Sequence, residues 1–220
     1  MIKNPILRGF NPDPSILRVG DDYYIATSTF QWFPGVQIHH SKDLRNWRLL
    51  TRPLNRLSQL NMLGNPDSGG IWAPALSYDG NKYYLVYTDV KGLRWMDLEH
   101  HNYVVATDDI SGDWSDPVYL NSSGIDPSLY HAEDGRKWLL NMVFDDRQDR
   151  DPVAGIWLTE YDPKKPGLVG DSRLIFKGTE AGITEGPHIY RRDGYYYLVT
   201  AEGGTAFDHQ ITVARSKKIE

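Results

Sequence analysis

Three acids in this chain stand in nearly the same setting. Asp13 lies between Pro12 and Pro14, Asp126 precedes Pro127, and Glu185 stands one residue further back, in Glu185-Gly186-Pro187. Proline holds its own φ and pushes the residue before it toward extended geometry. Asp13 is therefore presented by stiff backbone at the mouth of the apolar run Ile16, Leu17, Val19. A stiff carboxylate either caps a turn or does chemistry, and aspartate beside proline is ordinary turn composition. Glutamate is less typical of turns and reaches further, which favours chemistry at Glu185. Carboxylates that converge among aromatics, with no metal-ligand set beside them, suit hydrolysis of a glycosidic bond. One acid protonates the leaving oxygen and one carboxylate activates water. Aromatic faces match the apolar C–H groups of sugar rings, and Trp72 stands next to Ala73-Pro74 in a fourth stretch of the same form.

The elements that must position these residues follow from that repetition. Asn11-Pro12-Asp13-Pro14-Ser15-Ile16, Ile71-Trp72-Ala73-Pro74-Ala75-Leu76, Gly124-Ile125-Asp126-Pro127-Ser128-Leu129 and Thr184-Glu185-Gly186-Pro187-His188-Ile189 recur with prolines 60, 53 and 60 residues apart. After each comes a short apolar run, then a glycine (Gly20, Gly80, Gly135, Gly194), then an aromatic strand such as Tyr23–Ala26 or Tyr195–Val199. Strand, glycine turn and aromatic strand predict a β-hairpin. Val36–Ser41, a turn at Asp43–Asn46 and Trp47–Leu50 add a third and fourth strand to the first unit, and similar segments extend the second and third. Four strands per unit, repeated every 50 to 60 residues, predict an all-β propeller. A β-sandwich is the competing architecture, and four matches in register favour the propeller.

The predicted blades cover about residues 9–60, 68–120, 121–178 and 181–220, together about three and a half blades. The last runs through a third strand, Gln210–Ser216, and stops at Glu220, inside the blade. Closure is what protects propeller edges, so the sequence reads as the front part of a longer protein. The starts of the innermost strands point at a propeller axis, which would bring the proline-anchored acids together.

Composition narrows the partners. The net charge is −5 with dispersed basic residues, which argues against nucleic acid. There is no cysteine, hence no disulfide framework, thiolate metal site or thiol nucleophile. Neither an apolar signal core nor a membrane-length stretch is present, so a soluble, cytoplasmic protein is expected. His39-His40 and His100-His101 are adjacent pairs. Strand neighbours point to opposite faces, which makes each pair a poor metal clamp and predicts solvent-side residues. His188 is placed to line the axis as a hydrogen-bond donor.

Gly9–Ile16, Gly70–Pro74, Asp126-Pro127-Ser128, Thr184–His188 and Ala201-Glu202-Gly203-Gly204-Thr205 together resemble glycoside hydrolase family 43. Within it the chain is similar to the β-xylosidases, helped by Ser28-Thr29-Phe30 and Phe33–Ile38. The resemblance implies a five-bladed propeller and inversion at the anomeric centre. By motif, Asp13 would be the general base, Glu185 the general acid, and Asp126 the residue that positions and tunes the acid. An inverting pair stands about 6.5–9.5 Å apart to admit water, and a nearby Asp126 carboxylate would favour a protonated Glu185. Phe30 and Trp72 are candidates for the wall of the non-reducing-end pocket, with plain core packing as the alternative. Phe144, where related chains often carry Trp, and Thr205 are further candidates for substrate contact. Ala75 stands where relatives commonly have Asp or Glu.

The implied activity is that of an exo-β-1,4-xylosidase releasing xylose from xylo-oligosaccharides or aryl pentosides. An α-L-arabinofuranosidase, or a sugar-binding fragment without activity, are the alternatives. The fifth blade and the C-terminal β-sandwich of long xylosidases are expected to be absent from this stretch. No cofactor is required. Relatives can hold calcium or water on the axis, but the usual histidine contact lies beyond this stretch. A homo-oligomer is compatible with the sequence.

Overall fold

The computed structural model describes residues 2–93 and 99–219. Among them there is no helix, and fifteen strands form four antiparallel sheets. The first sheet holds β1 (Ser15–Val19), β2 (Asp22–Thr27), β3 (Gln37–Ser41) and β4 (Arg48–Thr51). The second holds β5 (Gly70–Tyr78), β6 (Tyr83–Val90), β7 (His100–Thr107) and β8 (Val118–Asn121). The third holds β9 (Ser128–His131), β10 (Lys137–Phe144), β11 (Val153–Asp162) and β12 (Gly167–Phe176). The fourth has three strands, β13 (Glu185–Arg192), β14 (Tyr195–Glu202) and β15 (Gln210–Ser216). In each, sequence neighbours are spatial neighbours, which is the build of a propeller blade. The all-β propeller class read from the repeats is the class observed.

The hairpins form where glycine turns were expected. Gly20, Gly80, Gly135 and Gly194 all have positive φ, at 60°, 96°, 86° and 78°. A Cβ at any of them would meet nothing within 4 Å, so glycine serves the backbone conformation there and not a close approach.

The residues fall into two compact units, 1–119 and 120–220. The first has a core built from Ile38, Ile71, Leu85 and Tyr87 of its two sheets together with Leu54, Leu60 and Trp114 from the segments between strands. Tyr87 is wholly buried but satisfies its hydroxyl by donating to the Gln59 carbonyl at 2.8 Å, and burial raises its pKa. In the second unit, Leu139, Leu140, Met142, Ile156 and Leu158 on β10 and β11 are the most deeply buried apolar residues.

A close backbone approach ties the third sheet to the segment that carries Asp126. Ile125 and Met142 exchange both backbone hydrogen bonds, at 3.1 and 3.0 Å. A Cβ on Gly124 would lie 1.8 Å from the Met142 carbonyl oxygen, so no side chain fits without moving one of the two strands. Gly124→Ala is therefore expected to cost about 1–3 kcal/mol, the usual range for overpacking. Thermal or denaturant unfolding checks this, and an unchanged midpoint would refute the packing account.

Two expectations fail. His39 and His100 are buried, not solvent-side. Burial lowers the pKa of His39. Their strand neighbours are half-buried and paired with acids, His40 with Asp22 at 2.6 Å and His101 with Glu99 at 3.2 Å. The alternation was right, but both faces of these middle strands are covered.

Candidate active site

The residue before each of the four motif prolines is not extended. Asp13, Ala73, Asp126 and Gly186 have φ of 51°, 38°, 57° and 57°. The proline rule, which predicts extended geometry, loses here to the fold. A positive φ is uncommon outside glycine, though aspartate tolerates it better than most residues. Proline can occupy the next position because the strand pairing is broken there. Register shifts fall between Trp72 and Ala75 in β5 and between Glu185 and His188 in β13, where a missing N–H costs no ladder bond. This pattern also explains why the glutamate stands one residue early. Gly186 takes the left-handed position in the fourth blade, and the acid moves to Glu185.

In the first unit, Asp13 is exposed and its carboxylate accepts a hydrogen bond from the Ser28 hydroxyl at 2.5 Å. Ser28 makes two further bonds. Its N–H donates to the Pro12 carbonyl at 3.0 Å, and its Oγ accepts the Ala73 N–H at 2.8 Å. One serine thus links the left-handed residues of two successive blades.

Asp126 takes a comparable bond directly in the second unit. Its Oδ2 accepts the Gly186 N–H at 3.0 Å, which sets it against the backbone beside Glu185. The serines after the two aspartates also reach the next blade. Ser15 Oγ accepts the Leu76 N–H at 3.2 Å, and Ser128 Oγ donates to the Pro187 carbonyl at 2.5 Å.

These contacts separate the two readings left open by composition. Acids that cap turns take backbone N–H groups two or three residues on. Asp43 does so with Arg45 and Asn46, Asp79 with Asn81 and Lys82, and Asp134 with Arg136. The backbone N–H groups of Asn46 and Arg45 hold the Asp43 carboxyl well below its usual range. Asp13 and Asp126 instead bond groups 15 and 60 positions away. Each is held by a group that the fold brings to it.

Phe30, with φ 47°, exchanges two backbone bonds with Ile71, each 3.0 Å. Its ring meets Trp72 edge-on at 6.2 Å and Phe10 at 5.5 Å. The Trp72 indole N–H donates to the Ser68 carbonyl at 2.8 Å, and the Ser68 N–H donates to Gln31 Oε1 at 2.9 Å. With its one donor engaged, Trp72 offers only ring surface to a ligand. Both Phe30 and Trp72 are half-buried, unlike the fully buried Tyr87 and Trp114, so neither is plain core.

Glu185 opens β13 opposite Ala201 and is half-buried. Phe144, also half-buried, ends β10, and its N–H donates to the Ser123 carbonyl at 3.0 Å, alongside the run leading to Asp126. Thr205 is exposed in the loop after β14. His188 is half-buried and stacks on Tyr190 at 6.4 Å. Burial pushes its pKa down, which favours the neutral ring. Among the described residues no group of three or more His, Cys, Asp or Glu could hold a metal ion.

Sequence reasoning missed three contributors. Ser28 and Glu202 enter the sequence reading only as parts of motifs and Gln31 not at all, although Glu202 is wholly buried. Ser28 had no local signal, since its partners lie 15 and 45 positions away. The left-handed Gly186 was visible as a glycine where the other blades have Asp or Ala.

Comparison with known proteins agrees with this arrangement. The model of the glycosyl hydrolases family 43 matches residues 2–220. A protein of Humicola insolens described as xylosidase/arabinosidase 43B is 61% identical over 218 residues, 99% of this chain and 40% of that protein. A β-xylosidase of Bacillus subtilis is 58% identical, covering 100% of this chain and 41% of its own length. Among solved structures, the xylan β-1,4-xylosidase from Bacillus halodurans C-125 is 60% identical with a TM-score of 0.98, over 100% of this chain and 42% of that one. The chain thus spans about two fifths of the length of the curated relatives it matches. With a family match along nearly all of its length and the motif acids at or just before the first strands of three sheets, the chain belongs to the glycosyl hydrolases family 43.

Proposed function

We propose that this chain carries the catalytic propeller of an inverting exo-β-1,4-xylosidase that removes xylose from the non-reducing ends of xylo-oligosaccharides. Asp13 acts as general base and takes a proton from the attacking water. Glu185 acts as general acid and protonates the leaving oxygen, and Asp126 positions that acid and favours its protonated form. Phe30 and Trp72 wall the terminal sugar, with Phe144 and Thr205 contributing further contacts. The observation that carries this reading is the tethering of Asp13 to Ser28 and of Asp126 to the Gly186 N–H, which holds each acid from a distant part of the chain. A base that must face a water on one side of a sugar ring gains from such fixation, since small displacements cost rate. Uptake of short oligosaccharides by the cell would place the enzyme in the cytoplasm.

The second reading is an α-L-arabinofuranosidase. The name of the Humicola insolens relative, a xylosidase/arabinosidase, supports keeping it. The two pentoses present similar hydroxyl groups, and a pocket separates such substrates by only about 1–3 kcal/mol unless a buried polar group is left unpaired. Initial rates of the full-length enzyme on an aryl β-D-xylopyranoside and an aryl α-L-arabinofuranoside decide between them. We expect kcat/KM to favour the xyloside by about tenfold or more, and a preference for the furanoside would replace the first reading by the second.

A further inference from the structure

The acid segment has a second anchor in Glu202, the last residue of β14. Its side chain is 0% exposed. Among the described residues no basic group pairs with it, whereas the other buried carboxylate, Asp89, has Lys91 at 2.9 Å. Both oxygens of Glu202 are given instead to one residue. The Thr179 N–H donates to them at 3.1 and 3.3 Å, and the Thr179 hydroxyl donates to Oε2. Burying a carboxylate without a cation is costly, and hydrogen bonds must offset it. A neutral residue would fill the same space more cheaply if packing were its only task.

Thr179 opens the turn that leads into Glu185. Its Oγ1 accepts the Ala181 N–H at 3.2 Å and its carbonyl accepts the Gly182 N–H at 3.1 Å. The Gly203 N–H then donates to the Gly182 carbonyl at 2.8 Å. Two consecutive residues at the end of β14 therefore hold the turn at both ends. Directly after the second hold comes Ile183, at φ 48° and 47% exposed. A β-branched residue with positive φ is strained and persists only where its surroundings over-determine it. Two residues later the chain delivers Glu185, opposite Ala201. Alternation along β14 sends the Glu202 side chain to the face away from that of Ala201, so Glu202 acts on the acid through the turn and not by contact.

We infer that Glu202 is a positioning residue for the general acid: through Thr179 it locks the turn of residues 179–182 and so sets where the Glu185 carboxyl meets the leaving oxygen. This rests on the reading of Glu185 as the acid.

The test is made on the full-length enzyme with Glu202→Gln, which keeps the shape, and Thr179→Val, which removes only the hydroxyl partner from the other side. Glu185→Ala is the reference. Rates are measured on aryl xylosides with a good leaving group (2,4-dinitrophenol) and a poor one (phenol), with melting temperatures alongside. A misplaced acid matters only where protonation is needed, and an error of about 1 Å can cost about 100-fold. Both variants are expected to lose about 10- to 100-fold in kcat on the phenyl xyloside. Their loss on the dinitrophenyl xyloside should be less than about threefold, with KM little changed. A merely structural role would lower both rates together in step with stability, and that result, or no loss on either substrate, overturns the inference. If Glu202→Gln does not fold, Thr179→Val decides alone by the same ratio. If Glu185→Ala itself loses equally on both substrates, the acid assignment falls and this inference with it. If Glu185→Ala discriminates and the other two variants do not, only the positioning role of Glu202 is lost.

Discussion

Replacing Asp13 by alanine is expected to abolish hydrolysis of activated and unactivated aryl xylosides alike. A general base is needed to take the proton from water whichever leaving group departs, because in an inverting reaction water attacks in the bond-breaking step itself. Base catalysis alone is worth about 10²–10⁴ in rate, and alanine also removes the group that orients the water. A loss of at least about 10³ in kcat on both substrates is therefore expected, about 4 kcal/mol at 1.36 kcal/mol per tenfold. The fold should tolerate the change, since Asp13 is exposed and its Ser28 partner keeps its bonds to Pro12 and Ala73. Azide offers a direct check: an external anion small enough for the vacated space should restore turnover as a glycosyl azide of inverted configuration. If the variant kept more than a tenth of its rate, Asp13 would not be the base.

Glu185→Ala should behave differently. With a good leaving group the departing oxygen needs little protonation, so the rate on a dinitrophenyl xyloside is expected to fall by tenfold or less, an order-of-magnitude figure. With a phenyl or sugar leaving group the missing proton should cost about 10²–10⁴. The alkaline limb of the pH–rate profile should also flatten, because that limb reports ionisation of the essential acid. Equal losses on the two substrates would reject the assignment of acid and base. The pair of variants is informative together, since the Asp13 variant predicts equal losses and the Glu185 variant unequal ones.

Much of this architecture could be read from the chain, and the reasons are local. A proline, a short apolar run, a glycine and an aromatic run are near-neighbour signals, and each acts through backbone freedom or alternation within one hairpin. Repeating the pattern four times was enough to identify blades. The placing of Glu185 one residue earlier than the aspartates is visible too, as is its cause, a glycine at the left-handed position that the aspartates hold in other blades. The proline rule even pointed the wrong way, since a preference of a few kcal/mol or less in an isolated dipeptide is readily overridden where the backbone must bulge between blades.

What sequence could not disclose involves partners distant along the chain. His39 and His100 looked like strand-face residues with water on one side, but the middle strands of these sheets are covered on both. Ser28 meets Asp13 and Ala73 across separations of 15 and 45 residues. Glu202 reaches back 23 residues to Thr179 and loses all contact with water, and no composition rule announces a buried glutamate.

The sequence by itself therefore determined the class of fold, the blade repeat and the three acids that stand at the proline motifs, because these depend on residue type and short-range geometry. Tertiary structure decided which oxygen of Asp126 holds the Gly186 N–H, which hydroxyl steadies Asp13 and which turn carries Glu185. Hydrogen bonds are satisfied in three dimensions, between groups that only the packing of successive strands brings within about 3 Å.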